Sequence, residues 1–302
     1  AGRDAGSSAA SGAAVRWPER CPARYLPPPM KPYETLSETE WMQVERVRDL
    51  LDEGELEEAR AALEAMLRKR PGQADLCIEN ASLYLAEGEP EAALEALRGA
   101  ERSADPAMFF YLRAAARYDL VRFEESLEDA QRAIAVHPDH AAAWDLCSRV
   151  LEHLGRPEEA AKAATEAFTI DPEAFPLPLE VPDAEFDALV RRSLRELPKP
   201  IRAKLDELPV LVQPLPSREM LTAEDPPFTP DLLGLFAGRH IFTETSTAVP
   251  SAPGAICLFR RNLLRACADK EELAREVRIT VQHEVGHYMG LDEDELDDWG
   301  LA

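Results

Sequence analysis

His283 and His287 stand four residues apart with Glu284 between them, in the run Thr280-Val281-Gln282-His283-Glu284-Val285-Gly286-His287. On a helix this spacing puts both imidazoles on one face, where two neutral ring nitrogens can share one divalent cation while the carboxylate is angled toward water beside it. Zinc suits two imidazoles, a third protein donor and one open position. It would acidify water, and Glu284 would take the proton as general base during attack on a peptide carbonyl, then pass it to the leaving amine. The chemistry implied is peptide-bond hydrolysis. With six histidines in 302 residues, chance yields such a pentad in roughly one chain in fifty to a hundred. The alternative is a pair of surface histidines on an amphipathic helix.

The third metal donor has several candidates, because Asp292, Glu293, Asp294, Glu295, Asp297 and Asp298 follow at once. Asp292 with Glu295 has capping-box spacing, and acidic residues favour a helix's first turn. Glu293 lies ten residues beyond His283, where an extended pattern of this kind places its third group. It is the first choice, with Asp294 as the alternative. A calcium loop is disfavoured, since its twelve-residue spacing and central glycine are missing. His240 is either an oxyanion-stabilising group or a solvated loop residue. Arg260 and Arg261 end a strand that either lines the cleft as an edge for extended peptide or faces solvent. His137, His140 and His153 receive no metal role.

The elements that position these groups follow from periodicity. Leu273, Val277 and Val281 mark a long helix from Lys270 to Met289, and Gly290 stops it. Upstream the pattern predicts a helix over 183–197, a short helix over 201–208, and strands over 209–213, 232–237 and 255–260. A final short helix is expected after Asp292. Such a mixture makes residues 182–302 a small α+β domain. The proline-rich stretch 176–181 reads as a linker.

These residues resemble the small zincin-like metallopeptidases of bacteria, whose ending reads approximately H-E-x-x-H-H-F-G-[ILV]-x-[DE]-[DE]-x-L. The chain matches at His283, Glu284, His287, Gly290, Leu291, Glu293, Asp294 and Leu296. Leu233-Gly234-Leu235-Phe236-Ala237-Gly238 and Ile256-Cys257-Leu258-Phe259-Arg260 are similar to other recurring segments of that family. Tyr288 stands where the family often has His, and the acidic pair is Glu-Asp where Asp-Asp or Asp-Glu is commoner. The resemblance implies a minimal zinc-dependent peptidase fold. Metzincins need a methionine turn further downstream, and only fifteen residues follow His287.

Residues 37–175 carry a different signal. Gly54 to Gly88, Pro71 to Asp105 and Pro138 to Pro172 are each separated by 34 residues, and Asp105 to Pro138 by 33. About four units of two helices follow, with small residues allowing close helix approach and glycine or proline ending each helix. Trp144, Leu151, Gly155, Ala160, Ala164, Ala167 and Pro172 fall where tetratricopeptide repeats place their signature residues, as do Tyr84, Gly88 and Ala93 in an earlier unit. The segment therefore resembles a tetratricopeptide array. Such arrays form a groove that holds a peptide or protein partner; the alternative is a spacer. Residues 1–36, rich in Gly, Ser, Ala and Pro, form an expected disordered or extended lead-in.

A formal charge of -23 opposes attraction to nucleic acid or anionic lipid, and no apolar run is long enough to span a membrane. Five scattered cysteines without a C-x-x-C pair read as reduced thiols, with Cys77 and Cys147 as small buried hydrophobes. The chain starts at Ala1 without an initiator methionine, which is compatible with a removed leader; a cytoplasmic setting is the expectation. The oligomeric state is left open. The expected architecture is two-domain: an all-α tetratricopeptide-like array followed by a small α+β zincin-like domain. The expected function is a zinc peptidase whose repeats recruit a protein substrate or regulator. The alternative is a repeat-based interaction scaffold with a catalytically silent metal-binding domain.

Overall fold

The computed structural model describes residues 35–205, 208–237 and 254–289. The first eight helices form four antiparallel pairs: α1 (Glu38–Asp52) with α2 (Leu56–Lys69), α3 (Ala74–Ala86) with α4 (Pro90–Ala96), α5 (Pro106–Asp119) with α6 (Phe123–Val136), and α7 (Ala141–His153) with α8 (Pro157–Ile170). Ser37 starts the array with a reciprocal capping box to Glu40. Leu36, inside the expected lead-in, is buried against the first pair. Ala59, Ala93, Ala130 and Ala160 are almost fully buried on the second helices, so these helices approach their partners closely, as the periodicity required.

The turn inside each pair needs a residue in the left-handed region. Gly54, Gly88 and Gly155 supply it at φ +77°, +74° and +69°. In the third pair the place is taken by Val121, at φ 59°. A β-branched side chain there costs about 1–3 kcal/mol of backbone strain, and Val121 is only 4% exposed.

Beyond the array come α9 (Asp183–Glu196), α10 (Lys199–Lys204), β1 (Val210–Gln213), α11 (Arg218–Leu221), β2 (Gly234–Ala237), β3 (Ala255–Phe259), α12 (Arg260–Ala266) and α13 (Lys270–Tyr288). The strands form one sheet in the order β1-β3-β2, with β1 parallel and β2 antiparallel to β3. Leu273, Val277, Val281 and Val285 make a fully buried stripe at helical spacing along α13. Together with Ile256 and Leu258 of β3 and Phe186 of α9 they form the core of this unit. Each such side chain contributes about 1.5–3 kcal/mol on burial, which fixes the rotation of α13 about its axis.

The elements expected from the sequence are all present within a few residues, except the final helix after Asp292, which lies outside the described residues. Two short helices were not expected. α11 sits in the proline-rich connection, and α12 follows β3 without any turn residue between them. Arg260 and Arg261 therefore begin a helix, and β3 is the central strand, paired on both sides. The expectation that they border an open peptide-binding edge does not hold; Arg260 is half-buried, whereas Arg261 faces solvent, as the alternative reading had it. Arg260 donates to the Val181 carbonyl and pairs with Asp183, while Arg261 reaches Glu152 of α7. Cys147, Cys257 and Cys267 are buried free thiols and Cys77 is half-buried. Among the described residues, no helix is long and apolar enough to cross a membrane.

Candidate metal centre

The last two turns of α13 carry His283, Glu284 and His287. The Nε2 atoms of His283 and His287 lie 2.9 Å apart with their rings nearly perpendicular, at 88°. Zn–N bonds of ~2.0–2.1 Å in tetrahedral coordination separate two ligand nitrogens by ~3.3 Å, so the pair already converges on one point and fits a zinc ion with a small adjustment. Both rings are half-buried. Among the described residues no third His, Cys, Asp or Glu completes a metal cluster with them. Glu293 and Asp294, the candidates for that role, lie outside the described residues, as does His240.

Glu284 is 6% exposed and held from the sheet. Its Oε2 accepts the Phe236 backbone N–H at 2.5 Å. The direction of that N–H follows from register. Phe259 donates to the Leu233 carbonyl, so Leu233, Leu235 and Ala237 bond inward to β3 while Phe236 turns its amide to the outer edge of β2. The carboxylate of Glu284 thus covers an edge amide of β2, a duty that a glutamine carbonyl could share and an alanine could not.

Gly234 makes the approach possible. A Cβ there would lie 2.4 Å from Cγ2 of Thr280, 3.2 Å from the Cys257 carbonyl oxygen and 3.5 Å from Cγ of Glu284. Only a residue without a side chain lets β2 lie this close to α13. Tyr288, one residue past His287, packs its ring on Phe236 with centroids 5.4 Å apart, tying the end of α13 to the same strand. Cys257, opposite Leu235 in the sheet, has its thiol pKa raised, first by burial and then by the nearby charge of Glu284. It stays a neutral thiol and acts as packing.

The sequence pattern singles out the imidazole pair and Glu284, and the structure brings them together. The strand that holds Glu284 is less legible. A glycine inside a strand pattern is the available signal for Gly234, whereas the part played by the Phe236 amide belongs to the backbone and has no residue signature. A cleft of about 720 Å³ between α7, α8, residues 177–182 and α12 is lined by Arg260 and Arg261 and by none of the three α13 residues.

Comparison with known families follows the division of the chain into a repeat array and a second unit. Residues 205–301 match the family described as zincin-like metallopeptidase, and residues 50–116 and 111–175 match two tetratricopeptide-repeat families. The chain joins a tetratricopeptide-repeat array to a zincin-like domain. No curated protein matches it significantly. Among solved structures it is similar to a crystal structure of MamA, at 20% identity and a TM-score of 0.36, covering 52% of this chain and 86% of that one. A crystal structure of MamA protein gives 19% identity, a TM-score of 0.37 and coverages of 56% and 87%. The MamA RS-1 ArsTM double mutant gives 16%, 0.38, 56% and 92%.

Proposed function

We propose that the zincin-like domain is a zinc-dependent peptidase. His283 and His287 would hold the metal, Glu293 would be the third ligand with Asp294 as its alternative, and Glu284 would be the general base. The observation that carries this reading is the convergence of the two Nε2 atoms at 2.9 Å beside a buried carboxylate. When bound, zinc would supply Lewis acidity, acidifying water and polarising a peptide carbonyl. Glu284 would serve as the general base toward an attacking water and would then return the proton to the departing amine. The Phe236 amide fixes one carboxylate oxygen and so sets the direction in which the other points. The buried α13 stripe keeps the helix from rotating the histidines away. The tetratricopeptide array supports a role in holding a protein substrate or regulator.

The test is metal content combined with peptide hydrolysis in the full chain. One zinc per chain is expected, and Glu284→Gln should keep it, because the amide carbonyl can still accept from Phe236. Hydrolysis should fall by about 10²–10⁴-fold in that variant. His283→Ala should lose both metal and activity. Stoichiometric zinc with no cleavage of any peptide in a diverse library would instead support the silent scaffold.

A further inference from the structure

The connection between β1 and β2 leaves its own domain and docks on the repeat array. Leu221 of α11 is fully buried in the cluster formed by Tyr118, Val121, Phe123 and Leu151, with Phe228 and Leu232 packed against it. Asp231 is the polar anchor. Its Oδ1 accepts the Tyr118 hydroxyl at 2.8 Å, and its Oδ2 accepts Arg149 Nη1 at 2.8 Å. Arg218 pairs with Glu124 and Arg265 with Glu152 around it. From the other side, buried Asn262 of α12 donates Nδ2 to the carbonyls of Pro230 and Leu232 at 2.8 and 2.7 Å. The chain is thus gripped on both faces at 230–232. Two residues later β2 begins, with Gly234 seated under α13 and Phe236 holding Glu284.

We infer that the third and fourth repeats are a built-in mount for the strand that holds Glu284, and that Tyr118, Arg149 and Asp231 are positioning residues for the site on α13. A second observation supports this independently. Val121, the one turn position of the four at which the left-handed residue is not glycine, belongs to the cluster that receives Leu221. The array departs from its own repeat chemistry at the place where the second domain docks, and it accepts backbone strain there to gain an apolar contact. The part of the repeat surface around Tyr118, Val121 and Arg149 is consequently occupied by the chain itself.

The inference rests on the reading of Glu284 as general base, so its test includes a measurement that needs no turnover. Hydrogen exchange of the Phe236 amide in the full chain reports the strand–carboxylate contact directly. Tyr118→Phe removes one hydrogen bond and keeps the ring; Arg149→Met removes the ion pairs to Asp231 and Asp145 and keeps the stem. In both variants exchange at Phe236 should quicken, by about ten-fold in Arg149→Met, while zinc content is unchanged. On a peptide that the wild-type chain cleaves, kcat should fall by about the same factor with KM held. Faster exchange confined to residues 228–232, with Phe236 unchanged, would overturn the mount. If Arg149→Met unfolds the chain, Tyr118→Phe decides on the same readout. A chain that cleaves no peptide would sink the peptidase reading, and the exchange measurement would still decide the mount.

Discussion

Gly234 and Thr280 show how closely the site is drawn together. The 2.4 Å gap between a hypothetical Cβ and Thr280 Cγ2 means that Gly234→Ala must push β2 off α13, at a cost of about 1–3 kcal/mol for an overpacked contact. The same movement lengthens the Phe236–Glu284 bond, so hydrolysis should fall further than stability alone explains. Thr280→Ser removes the offending methyl. Combined with Gly234→Ala it should restore most of the loss, and urea denaturation of the two single variants and the pair would reveal the coupling. Independent, additive losses would show that the glycine serves some other purpose.

Among the elements, the paired helices of the array depend on left-handed turns, and the third pair tests what its valine does. Val121→Gly relieves strain but surrenders a buried side chain, two terms of similar size, about 1–3 kcal/mol each. The expected result is a change in unfolding free energy within about 1 kcal/mol of zero. Val150→Gly, at a fully buried position inside α7, removes a comparable side chain with no strain to relieve and adds the helix cost of glycine. It should lose about 3 kcal/mol or more. Denaturant titration of both variants makes the comparison, and equal losses would mean that Val121 is not strained. α12 makes a related point about reading sequences. β3 passes into it with no glycine or proline, and the polar run Arg260-Arg261-Asn262 between Phe259 and Leu263 marks the end of a strand without showing that a helix starts there.

For the whole molecule, the junction around Asp231 governs how stability responds to pH. Burial, and then the charge of Asp231, push Asp119 up to about 6 from its ordinary 3.8, with Arg149 opposing. Burial, with Arg265 and Arg218, pushes His153 down to about 4 from 6.5, with Asp231 and the Pro230 backbone opposing. The two act in opposite directions. A raised acid binds more protons folded than unfolded, so the contribution of Asp119 is fully present below pH 3.8 and is lost as pH rises through about 6. A lowered histidine binds fewer, so the contribution of His153 is present above pH 6.5 and is lost as pH falls through about 4. Asp119→Asn should therefore raise stability at pH 8 by roughly 1–2 kcal/mol and leave it unchanged near pH 3.5. His153→Phe, which keeps an aromatic ring stacked on Phe123, should flatten the acid side of the profile between pH 4 and 6.5. Thermal melts from about pH 3.5 to about pH 8 check both; a His153→Phe profile parallel to wild type would place the titration elsewhere.

The 34-residue punctuation of the array, the HExxH helix and the strands of the second unit were all legible in the sequence, because each is a local pattern: helical spacing, alternation, and glycine or proline at element ends. Local patterns also name His283, Glu284 and His287, since residues four apart on a helix share a face whatever surrounds them. Tertiary structure alone decided that β3 lies between β1 and β2, that a backbone amide of β2 holds Glu284, and that Asp231 ties the site's strand to repeats far away in sequence. Those pairings join residues 48, 82 and 113 positions apart. They depend on how whole elements pack, and no spacing along the chain encodes them.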